Sequence, residues 1–142
     1  MKNDFEKENI FGLGKSNDDY AKYFIGNSYL NMLAKVEDIN LSLCNVTFEP
    51  GCRNNWHIHH ATKGGGQILI CVAGSGWYQE DGKEAISLNP GMVITIPANV
   101  KHWHGAKKDS WFSHIAVEVP GEDASNEWCE SVDDDEYNKL ED

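Results

Sequence analysis

His57-Ile58-His59 and, further along, His102-Trp103-His104 are the two stretches whose reading decides the fold. Each sits at the mouth of a strand-like run, and on a β-strand residues two apart point to the same face. Each His-x-His therefore aims both imidazoles into one space. Two such strands facing each other inside a barrel enclose a site for a divalent ion. Six histidines in 142 residues are no large excess, and a single histidine is more often solvated or hydrogen-bonded than a ligand. What sets these pairs apart is the punctuation around them.

Gly51 precedes His57 with five residues between them, and Gly74 comes seven residues after Gln67. Gly91 is followed six residues on by Pro97, then by Asn99 and His102. Turn residues divide the rest of the chain: Pro50-Gly51, Gly74-Ser75-Gly76, Asp81-Gly82, Asn89-Pro90-Gly91 and Pro97-Ala98-Asn99 separate short runs rich in Val, Ile, Trp and Thr. Asp81-Gly82 predicts a hairpin. Gln67 to Val72 and Met92 to Ile96 read as buried strands, and no long 3.6-period pattern interrupts them. Acidic residues opening the stretch Asp133 to Leu140 predict a short C-terminal helix. The chain is expected to be all-β.

These punctuated pairs resemble the two motifs of the cupin superfamily. There the first motif sets His-x-His and an acidic residue between two glycines, and the second carries Gly, Pro, Gly, His and a final Asn. Here Gln67 stands where the acidic ligand is usual. Seven residues separate it from His59, among them His60 and Gly64-Gly65-Gly66. Asn99 stands where Gly is usual, and Asn tolerates the same left-handed backbone. Ala106 replaces the final Asn.

The resemblance narrows to small single-domain cupins that include manganese-dependent bacterial hydroxynitrile lyases and cupins found beside or fused to carboxymuconolactone decarboxylase-like proteins. It runs from Val46 to Tyr137, through Val46-Thr47-Phe48-Glu49-Pro50-Gly51, Trp56-His57-Ile58-His59, Lys101-His102-Trp103-His104-Gly105-Ala106, Ser113-His114-Ile115-Ala116 and Asn126-Glu127-Trp128. It implies a cupin double-stranded β-helix, a jelly-roll-like barrel, over residues 41–120. Residues 1–40 would form an N-terminal arm packed on the barrel or on a partner subunit, and 121–142 an acidic C-terminal segment. Carried over residue by residue, the resemblance makes His57, His59, Gln67 and His102 the metal ligands. His104 and His114 become catalytic histidines beside the metal, and Cys44, Val46, Phe48 and Glu118 line the substrate cavity. Cys44 also reads as a small core hydrophobe. His60, swung inward by the glycine loop, stays open as the alternative fourth ligand.

Imidazole and oxygen donors suit Mn, Fe, Co, Ni or Zn, and the resemblance favours manganese. An amide in place of a carboxylate leaves the ion more electrophilic, which suits Lewis-acid chemistry. The expected activity is a metal-dependent, hydroxynitrile lyase-like cleavage of a small carbonyl-derived substrate. An iron-dependent dioxygenase at the same ligands is one alternative. A non-catalytic metal or small-molecule binding module, serving a decarboxylase-like partner, is the other. Parity puts His114, Ala116 and Glu118 on one face of their strand and Ile115, Val117 and Val119 on the other. A histidine facing the cavity, with an ordinary pKa of about 6.5, suits general acid or base work; the plainer reading is a ring hydrogen-bonded inside the barrel. Glu118 stands where the resembled lyases have Gln and adds a negative charge.

The formal charge is −11 and the pI about 4.8, which argues against nucleic acid or an anionic membrane surface as partner. No apolar run approaches the roughly 18 residues of a membrane helix, and Met1 to Glu6 holds no signal region, so a cytoplasmic protein is expected. Cys44, Cys52, Cys71 and Cys129 form no C-x-x-C pair and read as free thiols. Tyr23-Phe24-Ile25 and Tyr29-Leu30-Asn31-Met32-Leu33 carry more apolar surface than a small barrel has room for. Burial against a second copy would accommodate them, and a homodimer is expected.

Overall fold

The computed structural model describes residues 2–34 and 36–142. All strand pairs are antiparallel. The first sheet orders Lys15–Ser16, Ser28–Ala34, Ser42–Phe48, Phe112–Glu118, Gln67–Gly74 and Val93–Ile96. In the second, Ile86–Leu88, Gly76–Glu80, Lys101–Ala106, Arg53–Asn54 and Phe24–Ile25 lie side by side, and His57–His60 pairs with both Lys101–Ala106 and Ser125–Trp128. The chain changes sheets at Ser75, between Gln67–Gly74 and Gly76–Glu80, and such switches wrap the two sheets into a barrel. Gly76–Glu80 and Ile86–Leu88 form the hairpin expected around Asp81-Gly82.

Alternation fills the space between the sheets. Along Gln67–Gly74 every second residue is buried, so Leu69 and Cys71 join Phe48, Tyr78, Leu88, Ile96 and Phe112 in one apolar core. Ile115 and Val117, on the opposite face from His114 and Ala116, remain half-buried. Asn99 takes the left-handed conformation, with φ 72°. Its side chain adds what glycine could not, accepting from the Ala61 N–H at 3.1 Å and donating to the Ala61 carbonyl at 3.0 Å. All four cysteines are free, and no helix among the described residues is long and apolar enough to cross a membrane.

The barrel finds more room for the first forty residues than composition suggests. Ser28–Ala34 extends the first sheet by pairing with Ser42–Phe48, and Leu30 packs against the core. Tyr23 stacks flat on Trp128, with ring centroids 4.4 Å apart. The Lys2–Glu8 helix seats Phe5 over Leu13 and Ala73. Asn9, directly after it, donates to Ser113 Oγ at 3.0 Å. Of the apolar residues in Tyr23-Phe24-Ile25 and Tyr29-Leu30-Asn31-Met32-Leu33, Met32 alone stays well exposed, at 57%.

The C-terminal helix, Asp134–Asn138, is capped by Asp133 and clasped through Arg53. The guanidinium donates to the Val132 carbonyl at 3.0 Å, pairs with Asp134 and lies 4.1 Å from the Tyr137 ring centroid. Tyr137 in turn donates to the Ala106 carbonyl at 2.6 Å. Arg53 is only 4% exposed, so its loss strips a buried hub from the strand behind the site. Arg53→Ala is expected to cost about 3 kcal/mol of unfolding free energy in urea. A loss under about 1 kcal/mol would show that the clasp is ornamental.

Candidate metal centre

Register brings the two His-x-His stretches together: His57 and His102 are directly opposed across neighbouring strands. Their ring centroids lie 4.2 Å apart, with His59 at 5.1 Å from His57 and 5.3 Å from His102. His57, His59 and His102 are all buried. Each ties its Nδ1 to an oxygen of the chain: His57 to the Asn55 carbonyl at 2.7 Å, His59 to Asn126 Oδ1 at 2.8 Å, His102 to the Val100 carbonyl at 2.9 Å. A carbonyl oxygen can only accept, so Nδ1 carries the proton and Nε2 keeps its lone pair.

Gln67 completes the pattern. Its Nε2 donates to Glu118 Oε1 at 2.5 Å, which turns its own Oε1 inward. His59 Nε2, His102 Nε2 and Gln67 Oε1 are buried with no hydrogen-bond partner. Buried acceptors left unpaired are costly, and a set of imidazole nitrogens with one amide oxygen fits a divalent transition ion. The glycine run ahead of Gln67 makes its delivery possible. Gly64, Gly65 and Gly66 all have positive φ, and a Cβ on Gly66 would sit 2.4 Å from the Ile96 carbonyl oxygen.

By distance alone, the ligand atoms that gather within 4.8 Å of one another among the described residues are those of His57, His102 and His104, without His59. Hydrogen bonding separates His104 from the rest. Its Nδ1 lies 3.0 Å from His114 Nε2, and the Asn54 amide nitrogen lies 3.2 Å from its Nε2. His104 and His114 form a fully buried pair, with Phe48 against both rings at 5.9 and 5.5 Å. Burial drives the pKa of His114 down to about 3 and that of His104 well below its ordinary value, the neighbouring His114 adding to the second. Burial likewise lowers His57, with His102 beside it, and takes His102 to about 4.

A cavity of about 270 Å3 opens onto this cluster, and Cys44, Val46, Ala116 and Glu118 line it with His57, His59, His104 and His114. Phe48 is fully buried behind the histidine pair and does not line the cavity. His60 points away, to Glu127 at 2.7 Å on the surface. Sequence reasoning gave no role to Asn54 or Asn126, which hold His104 and His59, or to Trp128, whose ring lies 4.8 Å from His57. Asn126-Glu127-Trp128 carried a weak signal, since it lies within the stretch of resemblance.

Residues 44–117 match the cupin domain. The chain belongs to the cupin family. This cupin is 35% identical over 120 residues to the (R)-mandelonitrile lyase of Granulicella tundricola, covering 84% of this chain and 88% of that one. A cupin-like protein of Thermotoga maritima shares the fold with TM-score 0.78 and 40% identity, over 92% of this cupin and 95% of that chain. A cupin 2 conserved barrel domain protein of Rhodopseudomonas palustris matches with TM-score 0.66 over 80% of this cupin and 74% of that chain. Its identity is 14%, so that likeness shows the fold alone.

Two expectations follow from this geometry. Asn126→Ala removes the acceptor that fixes the His59 ring, and metal affinity, read by chelator competition, is expected to fall about 10- to 100-fold; unchanged affinity would show that the ring is held without it. The second concerns acid. Buried rings stay neutral in the folded chain, while the unfolded chain takes up protons near pH 6.5. Stability of the metal-free protein is therefore full above about pH 6.5. It falls as pH drops towards the lowered folded values, by about 1.4 kcal/mol per pH unit for each ring. Urea midpoints of chelator-treated protein that hold steady from about pH 7 to 5 would contradict buried neutral rings.

Proposed function

We propose that this cupin is a metal-dependent lyase acting on a small carbonyl-derived substrate, with His57, His59, Gln67 and His102 as the ligand set. The observation that carries the reading is the orientation of that set: all four side chains tie an outward atom to the chain, and the inward acceptors of His59, Gln67 and His102 are unpaired and buried. When bound, a divalent ion would supply Lewis-acid polarisation of a substrate oxygen. Manganese is the proposed ion. Similarity to a mandelonitrile lyase over most of both chains supports a cyanohydrin or an aldehyde as substrate.

His104 and His114 do the proton work in this reading. Two neutral rings 3.0 Å apart share one hydrogen bond, so a proton taken at one ring can be passed to the other. Asn54 holds His104 from the far side, accepting from its backbone N–H at 2.9 Å. Phe48 and Phe112 pack against His114 and exclude water from behind the pair. Cleavage of a cyanohydrin needs the hydroxyl proton removed and cyanide protonated as it leaves, and one relay can serve both transfers.

The arm, barrel and acidic tail are proposed to work as one unit, in a homodimer. Exposed Met32, Ile39 and Val93 support a second copy as the cover, and four free thiols suit a reducing cytoplasm.

Purified protein is expected to carry about one divalent ion per chain, and His57→Ala or His102→Ala to lose most of it. His114→Ala is expected to keep the ion while mandelonitrile cleavage falls about a hundredfold or more. Full activity in His114→Ala would end the relay, and full metal occupancy in both ligand variants would end the centre. Activity that requires oxygen would move the reading to a dioxygenase.

A further inference from the structure

Glu118 carries the only charge among the described side chains that line the cavity, whose wall holds no Lys or Arg. It sits directly across the strand pair from Gln67. Its side chain is 41% exposed, so one end reaches solvent at the mouth while the other meets the buried amide. One carboxylate oxygen accepts from Gln67 Nε2 at 2.5 Å, and the other lies 3.8 Å from His59 Nδ1.

An amide can ordinarily flip, exchanging its oxygen and nitrogen at little cost in shape. A carboxylate forbids the exchange here because it only accepts hydrogen bonds. Gln67 must therefore offer its NH2 to Glu118, and its oxygen must face the centre. That oxygen is buried without a partner. The remaining wall holds no Lys, Arg, Asp or Glu among the described residues, and Phe24, Leu30, Val46 and Trp128 supply apolar surface. A carboxylate ligand is usually clamped by Arg or Lys. In this cavity it would meet a fixed negative charge instead.

We propose that Glu118 is a positioning residue that locks the Gln67 amide oxygen toward the centre, and that its charge reserves the cavity for uncharged substrates over carboxylates. This rests on the metal-centre reading above. Neutral ligand atoms leave the full charge of a bound ion free to attract anions, and Glu118 returns one negative charge at the edge where a ligand enters. Glu118→Gln removes the charge and leaves an amide that can accept from Gln67 in one of its two orientations, the one a bound cation selects; Glu118→Leu removes charge and acceptor alike.

The test titrates manganese-loaded wild type, Glu118→Gln and Glu118→Leu with two matched probes in a calorimeter: mandelate, an anion, and mandelamide, its neutral counterpart. Manganese affinity is read separately by chelator competition. Glu118→Gln is expected to hold manganese within about twofold of the wild type and to bind mandelate about tenfold more tightly, with mandelamide unchanged. Glu118→Leu is expected to weaken manganese about tenfold, and rescue by the Gln variant separates positioning from general disruption. Equal mandelate affinity in wild type and Glu118→Gln, equal manganese affinity in Glu118→Leu, or binding of neither probe overturns the proposal. These shifts without turnover of mandelonitrile would support the role of Glu118 and remove the lyase reading. Failure of the wild type to bind manganese overturns both.

Discussion

Unpaired acceptors facing one another in a buried space are the constraint on which this structure depends. Each such atom costs on the order of 1–3 kcal/mol when nothing donates to it. His59, Gln67 and His102 each present one. Rotation of a ring or amide could relieve the cost only by breaking the bond on its outer side, to Asn126, Glu118 or the Val100 carbonyl. The outer bonds thus hold the inner atoms in an arrangement that is unfavourable until a cation enters it. Under the proposed function metal binding and folding are linked, because an ion that meets these atoms only in the folded chain would stabilise that state by its binding free energy.

A sheet is well suited to impose this. Its two-residue period sends His57 and His59 inward together, and antiparallel register sets His57 against His102 rather than against a neighbour one step away. A slip of one residue would turn all of these rings to the outer face. The apolar side chains that lock the register, Leu69, Ile96 and Phe112 among them, lie in the same barrel below the cavity. Packing energy in the core beside the site helps keep the imidazoles convergent.

The barrel, the hairpin at Asp81-Gly82, the C-terminal helix and the convergence of the His-x-His stretches were legible because each rests on local chemistry: turn residues, alternation, caps. The same parity rule shows Glu118 and His114 sharing a face. What escaped the sequence depends on contacts between distant segments. Nothing near Asn126 says that its amide will meet His59, since that contact follows from the pairing of Ser125–Trp128 with His57–His60. Asn54 is equally silent until its strand lies beside Lys101–Ala106. The N-terminal segment looked too apolar for a small barrel because Trp128 and Phe48, which cover Tyr23 and Phe24, lie far along the chain. Phe48 shares strand parity with Cys44 and Val46, yet it ends up behind the histidine pair, because parity gives a face and not a depth.

In the proposed reading, His104 is where ligand work and proton work divide. It lies close enough to His57 and His102 to count as a ligand by distance, and it belongs to a His-x-His pair just as His59 does. The difference is what holds each ring. His57, His59 and His102 have one nitrogen tied to an oxygen that can only accept, which leaves the other as a lone pair, and in His59 and His102 that lone pair is buried without a partner. His104 has a second imidazole on one side and an amide NH2 on the other. Its partners can both give and take a proton or fill its lone pair, so ligation would break a bond that the other three rings never form. The sorting is made by hydrogen bonds from outside the motif, which is why identical spacing in the sequence yields two kinds of histidine in the fold.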